Sequence, residues 1–254
     1  MTYRAPVADI AFALRHAARF AQARAAGIYD LDDETLDAVL EEAGKFATDV
    51  IAPLDRAGDL HGTPFKDGEV TTPPGWKEAY TAWAAAGWNG LASPDQWGGQ
   101  GLPAVVNAAC IEMWHGASMA FADGPMLGMA AIDALHAHGT DELKRTYLPK
   151  LISGEWTGTM QLTEPHAGSD VGALRTRAER AGDGSYRLKG QKIFITYGEH
   201  DLTDNIIHLV LARLPDAPPG CRRRKWRRSS PIPTCAACCY RCGRRPRRRA
   251  RSVT

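Results

Sequence analysis

The chain has 254 residues, 44% of them apolar, a formal charge of +2 and six cysteines. No segment reaches the roughly 18 apolar residues that a bilayer-spanning helix needs, and the single cysteine before residue 221, Cys110, leaves no disulfide framework to build there. The small net charge averages two unlike segments. Residues 221–254 hold Lys225, twelve arginines and no acid, a charge of +13, and residues 1–220 hold 18 basic and 29 acidic groups, a net of −11.

Met1 to Phe20 has no uninterrupted apolar stretch ahead of a small-residue cleavage site, because Asp9 and Arg15 interrupt it. The chain therefore reads as a mature cytoplasmic protein. Residues 1–155 read as helices. Leu36, Val39, Leu40, Ala43, Phe46, Ala47, Val50, Ile51 and Leu54 keep a 3–4 spacing over five turns. Asp32, Asp33 and Glu34 precede that run, where the helix dipole favours negative charge, and Pro53 stands near its end. A second helix is expected over Trp76 to Ala86 with Gly87 as its left-handed cap, and Trp76, Trp83 and Trp88 beside it suit packing better than ligand stacking. The Gly/Pro-dense loop from Ala92 to Pro103 precedes helices at about 104–116, 124–138 and 141–152, the last opened by Thr140-Asp141-Glu142.

After Gly154 the period changes to that of strands. Trp156 to Thr163, Leu174 to Arg180, Tyr186 to Leu188, Lys192 to Thr196 and Asn205 to Leu214 are short β-branched or alternating runs, and Gly182-Asp183-Gly184-Ser185 marks a hairpin. Helices followed by a block of strands indicate an α+β chain: an all-α domain over 1–155, then a small antiparallel, barrel-like β domain over 156–220. Taken singly, Thr163-Glu164-Pro165 is a strand ended by a proline-restricted turn. Gly168-Ser169-Asp170 is likewise a cap or Asx-type turn.

Taken together and in order, these segments resemble the acyl-CoA dehydrogenase family. Gly98-Gly99-Gln100-Gly101-Leu102 and the run from Gly139 to Leu151 resemble its N-terminal helical domain. Met160 to Asp170 and Lys189-Gly190-Gln191-Lys192-Ile193-Phe194-Ile195-Thr196 resemble its flavin-facing middle domain. Tyr3-Arg4-Ala5-Pro6-Val7 and the insertion Glu199-His200-Asp201-Leu202-Thr203 resemble the branch acting on 3-methylmercaptopropionyl-CoA and similar thioesters. The resemblance implies FAD as cofactor, an acyl-CoA substrate dehydrogenated across its α,β bond, an electron-transfer flavoprotein as acceptor and homo-oligomeric intact relatives. By the same resemblance Met160, Leu162 and Thr163 line the flavin, with Thr163 hydrogen-bonding its pyrimidine edge. Gly168 and Ser169 turn the backbone close to the cofactor, and Ser169 also meets the CoA chain. Phe194 covers a ring face beside Ile195, where the family usually has Trp, and the Thr196 hydroxyl approaches N5. His166 and His200 are expected to be solvated loop residues without a catalytic role.

The resemblance stops near Pro218-Pro219-Gly220. Cys235-x2-Cys238-Cys239-x2-Cys242 has spacing that tetrahedral zinc accepts, and thirteen positive charges suit an anionic partner such as nucleic acid. The abrupt switch to Arg, Cys and Pro without periodicity instead reads as a shifted frame in a G+C-rich gene, a segment too poor in apolar residues to fold. No metal, nucleic-acid or membrane partner is therefore expected. In the family the catalytic glutamate, the adenine pocket and most oligomer contacts follow this point. The catalytic base is left unassigned, and the chain is expected to be a truncated product of doubtful activity. The other readings are a non-catalytic acyl-CoA-binding or docking module, and a basic Cys-rich zinc or nucleic-acid protein. Translating the other forward frames from codon 220 should recover a continuing strand and then amphipathic helices carrying the glutamate. If neither frame stays open past a few dozen codons, the tail is native.

Overall fold

A carboxylate, two hydroxyls and a proline set the helix boundaries of the first half of the protein, which the computed structural model describes over residues 3–214, with the backbone of Ala237–Gly243 and Ser252–Val253 beyond. The chain divides into two units: Met1–Glu155 with Glu199–Leu202, and Trp156–Gly198 with the described residues from Thr203 onward.

In the first unit α1 (Val7–Phe12) runs into a π-type turn at Ala13–Ala17, and α2 (Phe20–Ala25) follows. The helix α3 (Asp33–Lys45) opens where Asp32 accepts the Thr35 N–H at 2.7 Å, satisfying one of the donors a helix start leaves free. The apolar run does not end at Pro53. It passes through a wide π-type turn, Phe46–Ile51, into α4 (Ala52–His61), with Pro53 in the first turn. Proline has no N–H to give the preceding turn, and the extra residue of a π turn absorbs that missing bond without breaking the helix. A hairpin that the sequence reading missed, β1 (Phe65–Lys66) and β2 (Glu69–Val70), turns on Asp67-Gly68, both in the left-handed region. The remaining helices are α5 (Trp76–Ala85), α6 (Ala104–Ala117), α7 (Met119–His138) and α8 (Asp141–Ile152). Gly87 adopts φ 74° after α5 as expected. Ser118 caps α7 by accepting the Phe121 N–H at 3.4 Å, so α7 starts five residues before the expected 124, and Thr140 caps α8 through the Leu143 N–H at 3.3 Å. None of the described helices is long and apolar enough to cross a membrane.

The aromatic residues on these helices form the core of the first unit. Trp114 packs edge-on against Trp83 at 4.4 Å and Trp88 at 5.3 Å between ring centroids, and Trp76 meets Phe121 at 5.6 Å. Trp76, Trp83 and Trp88 are all buried, which fits the packing role expected of them. Within the same unit Asp201 accepts from both the N–H and the hydroxyl of Thr72, at 3.0 and 2.6 Å. His200 beside it is not solvated as expected: it is 2% exposed, and its Nδ1 accepts the Leu202 N–H.

Among the described residues the second unit is built of small sheets, with no closed barrel. Its centre is β3 (Thr157–Gln161) against β6 (Asn205–Leu211), with Thr157 opposite Ile206 and Gln161 opposite Val210. The pair is parallel, which corrects the expected antiparallel order. The long connection from residue 162 to 204 lets the chain cross over and return in the same direction. The hairpin β4 (Arg177–Arg180) and β5 (Tyr186–Lys189) forms as a separate antiparallel pair. The expected strand at Lys192–Thr196 does not form, because Phe194 and Tyr197 take φ of 56° and 54°. Beyond it, β7 (Ala237–Gly243) pairs antiparallel with β6 and β8 (Ser252–Val253) with β7, backbone order within a tail that the composition gives as unfolded; the rest of 221–254, including Cys235, lies outside the described residues.

Thr159 and His208 face each other across β3 and β6, both buried, with Thr159 Oγ1 2.6 Å from His208 Nδ1. Burial pushes the His208 imidazole down from 6.5 to about 4, so the folded unit holds it neutral. The unfolded chain then binds the proton first, and stability present above pH 6.5 is lost as pH falls toward 4, by about 3 kcal/mol for a shift of this size. Denaturant titrations from pH 7 to 4 should show that loss, and His208→Asn should flatten the slope while lowering stability at pH 7.

Candidate functional site

Glu164 organises the irregular half of the second unit. Its residue is 3% exposed, the one acidic residue among the buried described residues, and its neighbours in the chain turn tightly. Glu164 and Ala167 exchange both backbone hydrogen bonds at 3.0 Å, closing the turn through Pro165 and His166. The carboxylate takes the Arg175 N–H on Oε2 at 2.6 Å, and the Thr176 N–H and the Lys192 ammonium on Oε1 at 3.0 and 2.9 Å. Burial works to raise its pKa, but the donors of Thr176, Arg175 and Lys192 outweigh that effect and hold it at about 2 instead of 4.5. It is a permanently ionised acceptor with its lone pairs engaged, a poor choice for a general base.

Lys192 joins the two motif segments. Its Nζ donates to the Leu162 carbonyl at 2.9 Å as well as to Glu164, and the next residue, Ile193, donates its N–H to the Thr163 carbonyl at 3.1 Å. Gly190 permits this approach. A Cβ there would fall 2.2 Å from Thr176 Oγ1 and 2.7 Å from Thr176 Cα, so any side chain would push the 190–192 segment off its neighbour.

The expected flavin-facing residues divide accordingly. Leu162, Thr163, Phe194 and Ile195 come together through the Thr163–Ile193 and Leu162–Lys192 bonds, with Met160 half-buried two residues upstream on β3. Phe194 is 88% exposed on a left-handed backbone, and Leu162 is 37% exposed. An aromatic ring held out on a conformation that costs a β-carbon residue about 1 kcal/mol or more is unusual unless something covers it. Thr196 is also exposed. Gly168 and Ser169 lie on the exposed bend after the Glu164 turn, ahead of a single 3₁₀ turn at Val171–Ala173 that no side chain caps. A Cβ at Gly168 would meet nothing within 4 Å, so packing within the chain does not require glycine there. His166 Nε2–H donates to the Ala173 carbonyl at 3.2 Å, and Nε2 lies 3.5 Å from Glu164, a bracing position at the foot of the turn.

The donor set fits a planar heteroaromatic cofactor: apolar Leu162 and an exposed Phe194 ring for the faces, and the Thr163, Ser169 and Thr196 hydroxyls for polar edges. Sequence reasoning singled out those residues and passed over the Glu164–Lys192 pair. The available signal was a charged pair inside two motif segments, but its members stand 28 residues apart. Among the described residues no cluster of His, Cys, Asp and Glu could hold a metal ion.

The acyl-CoA dehydrogenase N-terminal domain model matches residues 33–155, and the middle-domain model matches 159–235, past the composition change at 220. The 3-methylmercaptopropionyl-CoA dehydrogenase of Ruegeria pomeroyi is 50% identical over 225 residues, 87% of this chain and 38% of its own length. The crystal structure of glutaryl-CoA dehydrogenase from Mycobacterium smegmatis superposes with a TM-score of 0.60 at 26% identity, over 73% of this chain and 44% of that one. The FAD complex of PigA superposes at 0.58 and 27% identity, over 74% and 46%. The chain thus spans less than half the length of each of these relatives. With both domain models matched in family order over most of its length, this chain belongs to the acyl-CoA dehydrogenase family.

Proposed function

We propose that the face formed by Leu162, Thr163, Gly168, Ser169, Phe194, Ile195 and Thr196 is the isoalloxazine side of an FAD site, in a protein that dehydrogenates an acyl-CoA thioester across its α,β bond. The observation that supports it most is the exposed, left-handed Phe194 and the exposed Leu162, apolar groups left open on two segments joined by the Ile193–Thr163 and Lys192–Leu162 bonds. Bound flavin supplies the hydride acceptor. The chain's own part is to cover and orient it. Phe194 and Leu162 exclude water from a ring face, and the Thr163 and Thr196 hydroxyls donate toward the edge where negative charge grows. The 50% identity to a 3-methylmercaptopropionyl-CoA dehydrogenase favours a short, thioether-bearing acyl group, with an electron-transfer flavoprotein as acceptor by family resemblance.

Glu164 is spent on structure, and we infer that the described residues supply no placed base. A missing general base removes about 10²–10⁴-fold of rate. FAD titrated into the isotope-labelled chain should move amide resonances of 160–170 and 192–196 with weak affinity. Acyl-CoA oxidation with an artificial acceptor should stay at the no-enzyme rate. Resonance shifts confined to the helical unit would overturn the assignment of the flavin face, and turnover by the chain alone would overturn the inference about the base.

A further inference from the structure

Three segments far apart in sequence meet at one buried ion pair: the turn at Leu162–Ala167, the backbone at Arg175–Thr176 and the chain entering Phe194. Both side chains are largely shielded from solvent, Glu164 2% and Lys192 7% exposed. Neither belongs to the exposed face itself. Yet Lys192, held by Glu164, fixes a backbone atom of that face by donating to the Leu162 carbonyl. Lys192 holds the Leu162 carbonyl, the residue after Lys192 holds the Thr163 carbonyl, and the residue after that is Phe194 in its left-handed conformation. A left-handed phenylalanine persists only where its surroundings over-determine it.

Resting on the flavin reading of that face, we propose that Glu164 and Lys192 are positioning residues: their ion pair locks the 162–164 and 192–194 segments in register, and thereby presents Thr163 and Phe194 to the cofactor, without touching it.

The pair takes part in the hydrogen bonds that join the 162–164 and 192–194 segments apart from the Ile193–Thr163 bond, so its loss should release the Phe194 turn while the β3–β6 pairing, made by other atoms, remains. A hydrogen bond to a charged group is lost at a cost that corresponds to about tenfold or more in an opening equilibrium.

The test uses the full 254-residue chain, first without cofactor and then with FAD. In Lys192→Met, amide exchange at Ile193 should quicken about tenfold or more while Ile206 to Val210 stay protected, and FAD affinity should fall by a similar factor. Ile207→Val, which loosens β6 without touching the pair, should leave Ile193 exchange and FAD affinity as they were. If Lys192→Met fails to fold, Glu164→Gln, which keeps the side-chain volume and one acceptor, decides by the same readouts. Unchanged Ile193 exchange overturns the proposal, and so does fast Ile193 exchange with unaltered FAD affinity. If FAD moves no resonance of the parent chain, the flavin reading falls and this role with it. That outcome is told apart because the exchange measurement needs no cofactor.

Discussion

A carboxylate buried away from solvent has to find donors, and at Glu164 that requirement shapes most of the irregular half of the second unit. Four hydrogen-bonding partners would satisfy an ionised carboxylate, and Glu164 obtains three within 3.0 Å from residues 11, 12 and 28 positions away. Removing one partner from such a pair costs about 3–5 kcal/mol, because the other charge is stranded. The local geometry is therefore all-or-none. Given Glu164 in place, the 163–167 turn, the approach of Thr176 to Gly190 and the course of the chain into Phe194 follow as consequences.

The helical unit is stabilised by different physics. Its core is aromatic: Trp83 and Trp114 are each 1% exposed, and Trp114 contacts both Trp83 and Trp88 in edge-to-face geometry. Non-directional apolar burial tolerates small displacements, and polar precision is confined to points such as the helix starts, where Asp32, Ser118 and Thr140 each satisfy one free N–H, and the Asp201–Thr72 contact. Burial also silences the groups that might otherwise be reactive. The Cys110 thiol is pushed up to about 12, and the Tyr80 hydroxyl, donating to the Gly154 carbonyl, is raised to about 12 as well. The thiol that sequence composition singles out by its isolation is thus a small core hydrophobe.

The second unit combines a neutral histidine, an ionised glutamate and an exposed phenylalanine within about fifty residues, each away from its ordinary state. His208 is kept uncharged by burial inside a sheet, Glu164 is kept charged by its donors, and Phe194 is kept outside. Departures from local rules of this kind concentrate where structure serves binding. The helical unit, where propensity, caps and burial agree, shows fewer of them.

The sequence by itself determined most of the helical pattern of the first unit, the Gly87 and Thr140 caps, the Gly182–Ser185 hairpin and the family, since each rests on short-range periodicity, a turn or capping residue close to the backbone it serves, or a motif read in order. It also named the residues of the open face, because those lie in the motifs. Tertiary structure alone decided the rest. The parallel pairing of β3 with β6 depends on where a 43-residue crossover returns. The failure of 192–196 to become a strand depends on Lys192 being drawn to Glu164, 28 residues back. The burial of His200 depends on its segment belonging with the helical unit, where Asp201 meets Thr72, 129 residues away. Periodicity reports which way side chains point along one element. It carries no information on which distant donor a buried charge will find, and in this protein that choice fixes the shape of the site.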